Sequence, residues 1–243
     1  MEQESMRDSS MDQPLPVWSI LAVPVYLVGV FAVLLFPAAG DWGWLEGWVY
    51  TLGLAFIFSV GFAIINRRNP RVLRNRLKTK KEGLTDATTK HARSDRLFMP
   101  VAGLGFVGML IIPALAHRLG WRKIPVTLSI VGLVVSNAGM IVILVAMLQN
   151  SFASKILDIN QGQVLVDTGL YAHVRHPLYV GFSLWVLGSP VALGCWWGLI
   201  PAVLVIVALV ARIESEEEML IKGMDGYENY RTRVRYKLIP GIY

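Results

Sequence analysis

The sequence predicts an all-α integral membrane protein of about six transmembrane helices, the last two folded back as a re-entrant hairpin, followed by a cytoplasmic helix and tail. Three observations carry this expectation. Of the 243 residues, 54% are hydrophobic and only 16% charged, with a mean hydropathy of +0.51, far from the mix of a soluble domain. The apolar residues gather into five runs: Val17 to Pro37, Trp48 to Ile65, Phe98 to Ala116, Pro125 to Leu148, and Pro177 to Ala211. The basic residues are distributed as lopsidedly as a membrane topology demands.

Each of the first four runs suits one helix, because roughly 20 residues span the hydrocarbon core. The fifth does not. As a straight helix, its uncharged stretch from Pro177 to Ala211 would reach about 52 Å, against a core of about 30 Å. Two short arms are expected instead, with the turn between Gly188-Ser189-Pro190 and Gly194, where helix breakers cluster.

Between the second and third runs, residues 66 to 97 carry Arg67, Arg68, Arg71, Arg74, Arg76, Lys78, Lys80, Lys81, Lys90, Arg93 and Arg96. Such a loop should face the cytoplasm. With six spans, only Arg118, Arg122 and Lys123 of the 23 basic residues then lie outside. A short helix from Pro70 to Leu77 is expected to lie on the membrane surface, with Val72, Leu73 and Leu77 to one side. The net charge of +6 follows from topology, so it implies contact with membrane lipids and no nucleic acid.

The chain is expected to divide into a disordered cytoplasmic stretch over 1–16, a four-helix membrane region over 17–148, and a catalytic region over 149–243. Residues 1–16 are polar and mixed in charge and lack the pattern of a cleaved signal. The lone Cys195 allows no intramolecular disulfide and no cysteine cluster. His91, His117, His173 and His176 show no ligand spacing, so no metal is expected.

Chemistry must come from two blocks that bracket the fifth run. In Gly169-Leu170-Tyr171-Ala172-His173-Val174-Arg175-His176-Pro177-Leu178-Tyr179-Val180-Gly181, Pro177 sets the start of a helix where backbone donors are free to hold an anion or carboxylate. The plain alternative is an interfacial belt of Tyr and Arg. In Arg212-Ile213-Glu214-Ser215-Glu216-Glu217-Glu218, Arg212 and Glu216 are one turn apart on one face, while Glu217 and Glu218 fall on others. The plain alternative here is a surface ion pair, worth a few tenths of a kcal/mol. Against it stands the position of Arg212 at the end of a charge-free membrane run, where an ionisable group is costly. If the fifth run folds back, both blocks meet at one membrane face.

Taken together, Gly-x-Tyr-x-x-x-Arg-His-Pro-x-Tyr-x-Gly and Arg-Ile-x-x-Glu-Glu-x-x-Leu resemble the isoprenylcysteine carboxyl methyltransferase family of membrane enzymes, to which phospholipid N-methyltransferases are related. Gly226-Tyr227-Glu228-Asn229-Tyr230, Val234 and Ile239-Pro240 extend the likeness, which is strong over about 150–243. The resemblance implies S-adenosylmethionine as cofactor, held by Gln163, Val164, Leu165 and Val166, by Tyr171, and by His176, Pro177, Leu178 and Tyr179. It implies that Glu216 binds the methionine part and that Arg212 holds the substrate carboxylate, with Arg175 and His176 counted among the catalytic residues. A general-base role for His176 is the lesser alternative.

Departures from the family pattern leave the acceptor open. Gln163 stands where relatives often have His, Ile156 where some place a polar contact, and Met224-Asp225-Gly226 where Phe-Gly is frequent. A prenylated protein tail, a small isoprenoid acid, another lipid carboxylate or an amine headgroup all fit. Two readings from other classes compete. An NADPH-dependent sterol or lipid reductase shares Arg-His-Pro-x-Tyr but not the Arg-Ile-x-x-Glu-Glu-x-x-Leu helix, and a non-catalytic membrane scaffold would keep the fold without activity.

Overall fold

The computed structural model describes residues 13–77, 88–121, 124–150 and 164–243, with the side chains of 75–77, 88–97 and 99 aside. Expectations for residues 1–12, for Lys78, Lys80 and Lys81, for Arg122 and Lys123, and for Ile156 and Gln163 fall outside the described residues. What is described is helical: α1 Val17–Ala39, α2 Leu45–Arg68, α3 Pro70–Leu77, α4 Thr88–Arg118, α5 Val126–Gln149, a 3-10 turn Gly169–Ala172, α6 Pro177–Ala192, α7 Leu199–Gly223 and α8 Tyr227–Arg233.

Four helices are long and apolar enough to cross a membrane: Val17–Ala39, Leu45–Arg68, Pro100–Arg118 and Val126–Gln149. They coincide with the first four apolar runs. Large side chains such as Trp18, Val25, Tyr26, Phe56, Leu104 and Val134 stand exposed around them. Such a surface suits lipid, where polar outer faces would be costly. Inside, Phe31, Leu35, Phe36, Tyr50, Leu54, Met109, Leu110 and Val205 form one core.

The fifth run forms two helices, α6 and α7, that pack against each other. Their turn comes later than the sequence predicts. Gly188, Ser189 and Pro190 all remain inside α6, and the break falls at 193–198, where Gly194 takes φ +81°. Packing against α5 explains the extension. A Cβ on Gly188 would lie 2.6 Å from the backbone N of Ser136, and one on Gly181 2.6 Å from the Gly139 oxygen. Gly132, Ser136 and Gly139 of α5 thus meet Gly181 and Gly188 of α6 backbone to backbone, the small-residue contact by which helices associate in lipid. Ser189 is also needed within the helix. It accepts a 2.6 Å hydrogen bond from the Tyr50 hydroxyl and donates to the Trp185 carbonyl at 2.6 Å.

At the far end from the two charged blocks, His117 Nε2 meets Asp41 Oδ2 at 2.9 Å, and the His117 ring stacks on Trp44 at 4.8 Å. That contact ties the α1–α2 turn to the end of α4. At the near end α3 forms as predicted, with Val72 and Leu73 buried. Asn69 Nδ2 donates to the Leu148 carbonyl at 3.3 Å, drawing the ends of α2 and α5 together.

Candidate active site

Pro177 at the first position of α6 and the uninterrupted helix through Arg212 bring the two sequence blocks together. The contacts divide along the two sides of α7. On one side the Tyr179 hydroxyl donates to Glu216 Oε2 at 2.6 Å, and Arg212 Nε donates to that hydroxyl at 3.1 Å. The Arg212 guanidinium lies over the Phe98 ring, 4.7 Å from its centroid. The His176 ring stacks on Tyr179 at 5.6 Å. Arg212 and Glu216 therefore do share a face, and Tyr179 is the bridge between them.

On the other side stands Glu217, which the sequence reading set on another face and gave no role. Arg175 grips it with two parallel bonds, Nε to Oε1 at 2.5 Å and Nη2 to Oε2 at 2.9 Å. His176 Nε2 lies 3.1 Å from Oε1, and the Tyr227 hydroxyl donates to the same oxygen at 3.2 Å. Arg175, His176 and Glu217 are all buried. Burial pushes the Glu217 carboxyl up, but the hydrogen bonds and charges of His176 and Arg175 overcome it and hold its pKa at about 2. Burial lowers the Arg175 pKa, and the bonds and charge of Glu217 more than reverse this.

Arg175 reaches further. Its Nη1 donates to the carbonyls of Val234 at 2.8 Å and Arg235 at 2.7 Å. Its backbone N–H donates to Tyr236, and that of His176 to Lys237. Residues 234–237 thus form a strap across the start of α6. With Nε, Nη1 and Nη2 each engaged within the protein, Arg175 positions its neighbours and keeps little to offer a ligand. Among the residues expected in the site, His176 joins the two sides, since one ring touches both Glu217 and Tyr179.

The segment expected to cup a cofactor lies beside this centre. Val164 is exposed, while Leu165 packs on the cluster of Tyr227, Tyr230 and Val234. Tyr171 is buried, and its carbonyl accepts the Tyr230 hydroxyl at 2.7 Å. Burial pushes the Tyr230 hydroxyl above its ordinary pKa, which keeps it a donor. Leu178 is partly buried and packs against the main hydrophobic core.

A cleft of about 540 Å³ opens on the Glu217 side, lined by Arg175, Glu214, Glu217, Glu218, Ile221, Arg231, Thr232, Arg235 and Lys237. Tyr179, Arg212 and Glu216 do not line it. It is therefore separate from the bridged pair.

The helices that build this centre also carry the sequence likeness. Residues 130–222 match the model of the isoprenylcysteine carboxyl methyltransferase family. That segment runs through α5, α6 and most of α7, and so includes Arg175, His176, Tyr179, Arg212, Glu216 and Glu217. A protein-S-isoprenylcysteine O-methyltransferase from Schizosaccharomyces pombe is 42% identical over 77 residues, which are 31% of this chain and 33% of that protein. The alignment thus spans about a third of the curated relative's length. The solved structure of the eukaryotic intramembrane Ras methyltransferase of the same name overlays with a TM-score of 0.45 at 21% identity, covering 94% of this chain and 87% of that one. Among the described residues no group of His, Cys, Asp and Glu is placed to hold a metal ion.

Proposed function

We propose that this chain is an S-adenosylmethionine-dependent carboxyl methyltransferase of the membrane, acting on an isoprenylcysteine-type or similar lipid-like carboxylate at the cytoplasmic face. The observation that carries the reading is the Arg212–Tyr179–Glu216 bridge, which stands at the membrane edge inside the segment matching the methyltransferase family.

The residues suit the chemistry. Glu216 offers a carboxylate to an ammonium group, and Tyr179 fixes its orientation through one hydrogen bond. The His176–Tyr179 stack supplies an aromatic wall. When bound, the cofactor supplies a methyl group on a positively charged sulfur. Arg212 has planar, fixed donors and holds the acceptor carboxylate so that one oxygen faces that methyl. Charges cancel partly as transfer proceeds, so a site with little water favours it, and the burial of Arg212 and the cover of Phe98 fit that need. An ionised carboxylate requires no general base. His176, with its ring nitrogen at Glu217, holds α6 and α7 in register instead.

Calorimetry on detergent-purified protein tests the proposal, with S-adenosylmethionine beside an NADPH control. The expected result is selective S-adenosylmethionine binding that Glu216→Ala removes and Arg212→Ala keeps, with Arg212→Ala abolishing methyl transfer to a prenylated cysteine acceptor. Well-folded protein that binds no S-adenosylmethionine would overturn the proposal. Binding of NADPH in its place would favour a reductase, and transfer only to an amine headgroup would make it an N-methyltransferase.

A further inference from the structure

Beyond the α8 helix the chain closes in a compact turn, Leu238 to Tyr243, with Gly241 at φ +86°. Leu238 and Tyr243 pack on Leu209 and Ile213 of α7 and on Tyr179, Val180 and Phe182 of α6. Those α6 residues begin the long apolar run, and those of α7 end it. The turn thus sits level with the rim of the membrane-embedded hairpin. Its outward side is apolar, with Ile242 79% and Ile239 51% exposed. Within it the N–H groups of Leu238 and Ile239 donate to the Tyr243 main-chain oxygen, and those of Ile242 and Tyr243 donate to the Ile239 carbonyl. Arg235, three residues before the turn, is exposed.

We propose that the Leu238–Tyr243 turn is a membrane-inserted anchor whose partner is the bilayer interface, with Ile239 and Ile242 in the acyl region and Arg235 at the phosphate layer. The strap 234–237 runs directly into this turn and carries the carbonyls that hold Arg175 and His176. Lipid contact at the turn therefore steadies the base of the catalytic centre from outside. This holds whatever reaction that centre performs.

The test is single-cysteine labelling at Ile242→Cys and, separately, Ile239→Cys with an environment-sensitive fluorophore, in nanodiscs of phosphatidylcholine and phosphatidylglycerol. Unsubstituted protein reports any labelling of the buried Cys195, and Glu228→Cys on α8 serves as the water-exposed control. The expected result is blue-shifted emission at both positions, quenched by lipids carrying a shallow doxyl group and shielded from iodide. Emission and quenching no different from Glu228→Cys at both positions would overturn the anchor. The readout needs neither cofactor nor acceptor, so its failure is distinct from failure of the methyltransferase reading.

Discussion

Glu216 and Glu217 are chemically identical neighbours, yet they project about 100° apart around α7 and meet different partners. Glu217 is locked by Arg175, His176 and Tyr227. Removing one member of such a buried pair strands the other's charge, so Glu217→Ala should destabilise the protein by roughly 3–5 kcal/mol. Denaturation in detergent checks this, and a cycle with Arg175→Ala should show strong coupling. Its pKa has a matching signature. Lowered from an ordinary 4.5 to about 2 in the folded state, Glu217 contributes stability that is full above pH 4.5 and lost as pH falls toward 2. Melting temperature followed across that window should fall steeply in the parent protein and less so in Glu217→Gln. Tyr179 belongs to the other side of the helix. Tyr179→Phe takes away the hydroxyl between Arg212 and Glu216 and should lower kcat/KM roughly tenfold or more, at about 1.5–3 kcal/mol for a charge-assisted bond. Steady-state methyl transfer would measure it. The sequence made Arg212 and Glu216 legible through their four-residue spacing. Glu217 was hidden because helical spacing alone cannot say which face meets a partner. The missed clue was the adjacent Arg175, since a buried guanidinium demands a buried carboxylate.

Among the helices, the α5–α6 contact is the closest, and it rests on side chains that are missing. Gly181→Ala would drive a methyl group to 2.6 Å from the Gly139 oxygen and 2.8 Å from the Ile143 nitrogen, both backbone atoms that cannot step aside cheaply. We expect a loss of about 1–3 kcal/mol and a lower melting temperature. Gly103→Ala, with nothing within 4 Å of its new Cβ, should be neutral or slightly stabilising in the same assay. This seam also shows why the hairpin turn was read too early. Gly188, Ser189 and Pro190 look like breakers in a list of residues. In place, Gly188 admits the α5 backbone, Ser189 bonds Tyr50, and Pro190 near the end of the helix costs few internal hydrogen bonds. Propensity yielded to tertiary packing. The helices of the first four apolar runs, by contrast, fell where hydropathy put them, because length and apolarity in lipid leave little choice.

The molecule as a whole gathers its two charged blocks at one end. The basic residues around α3, the start of α6 and the charged end of α7 are all expected on the cytoplasmic side, and the His117–Asp41 contact marks the opposite end. In sealed inverted vesicles and spheroplasts, an impermeant maleimide should modify Asp225→Cys only from the cytoplasmic side and Leu119→Cys only from the other. The reverse pattern would invert the topology. Charge bias in the sequence was enough to frame that expectation. The strap 234–237 was not foreseeable, because its four carbonyls act through backbone and leave no mark in side-chain type.

The lengthwise division of α7 has a practical meaning for anyone wishing to alter this helix. One edge of the rod carries Arg212 and Glu216, which face Phe98 and Tyr179. The other edge is a hinge pin. Inserting or deleting a single residue between Arg212 and Glu217 would rotate everything beyond it by about 100°, pulling Glu217 out of Arg175's grip and swinging Glu216 away from Tyr179 in one stroke. Change along this helix should therefore come by substitution, and seldom by a difference in its length.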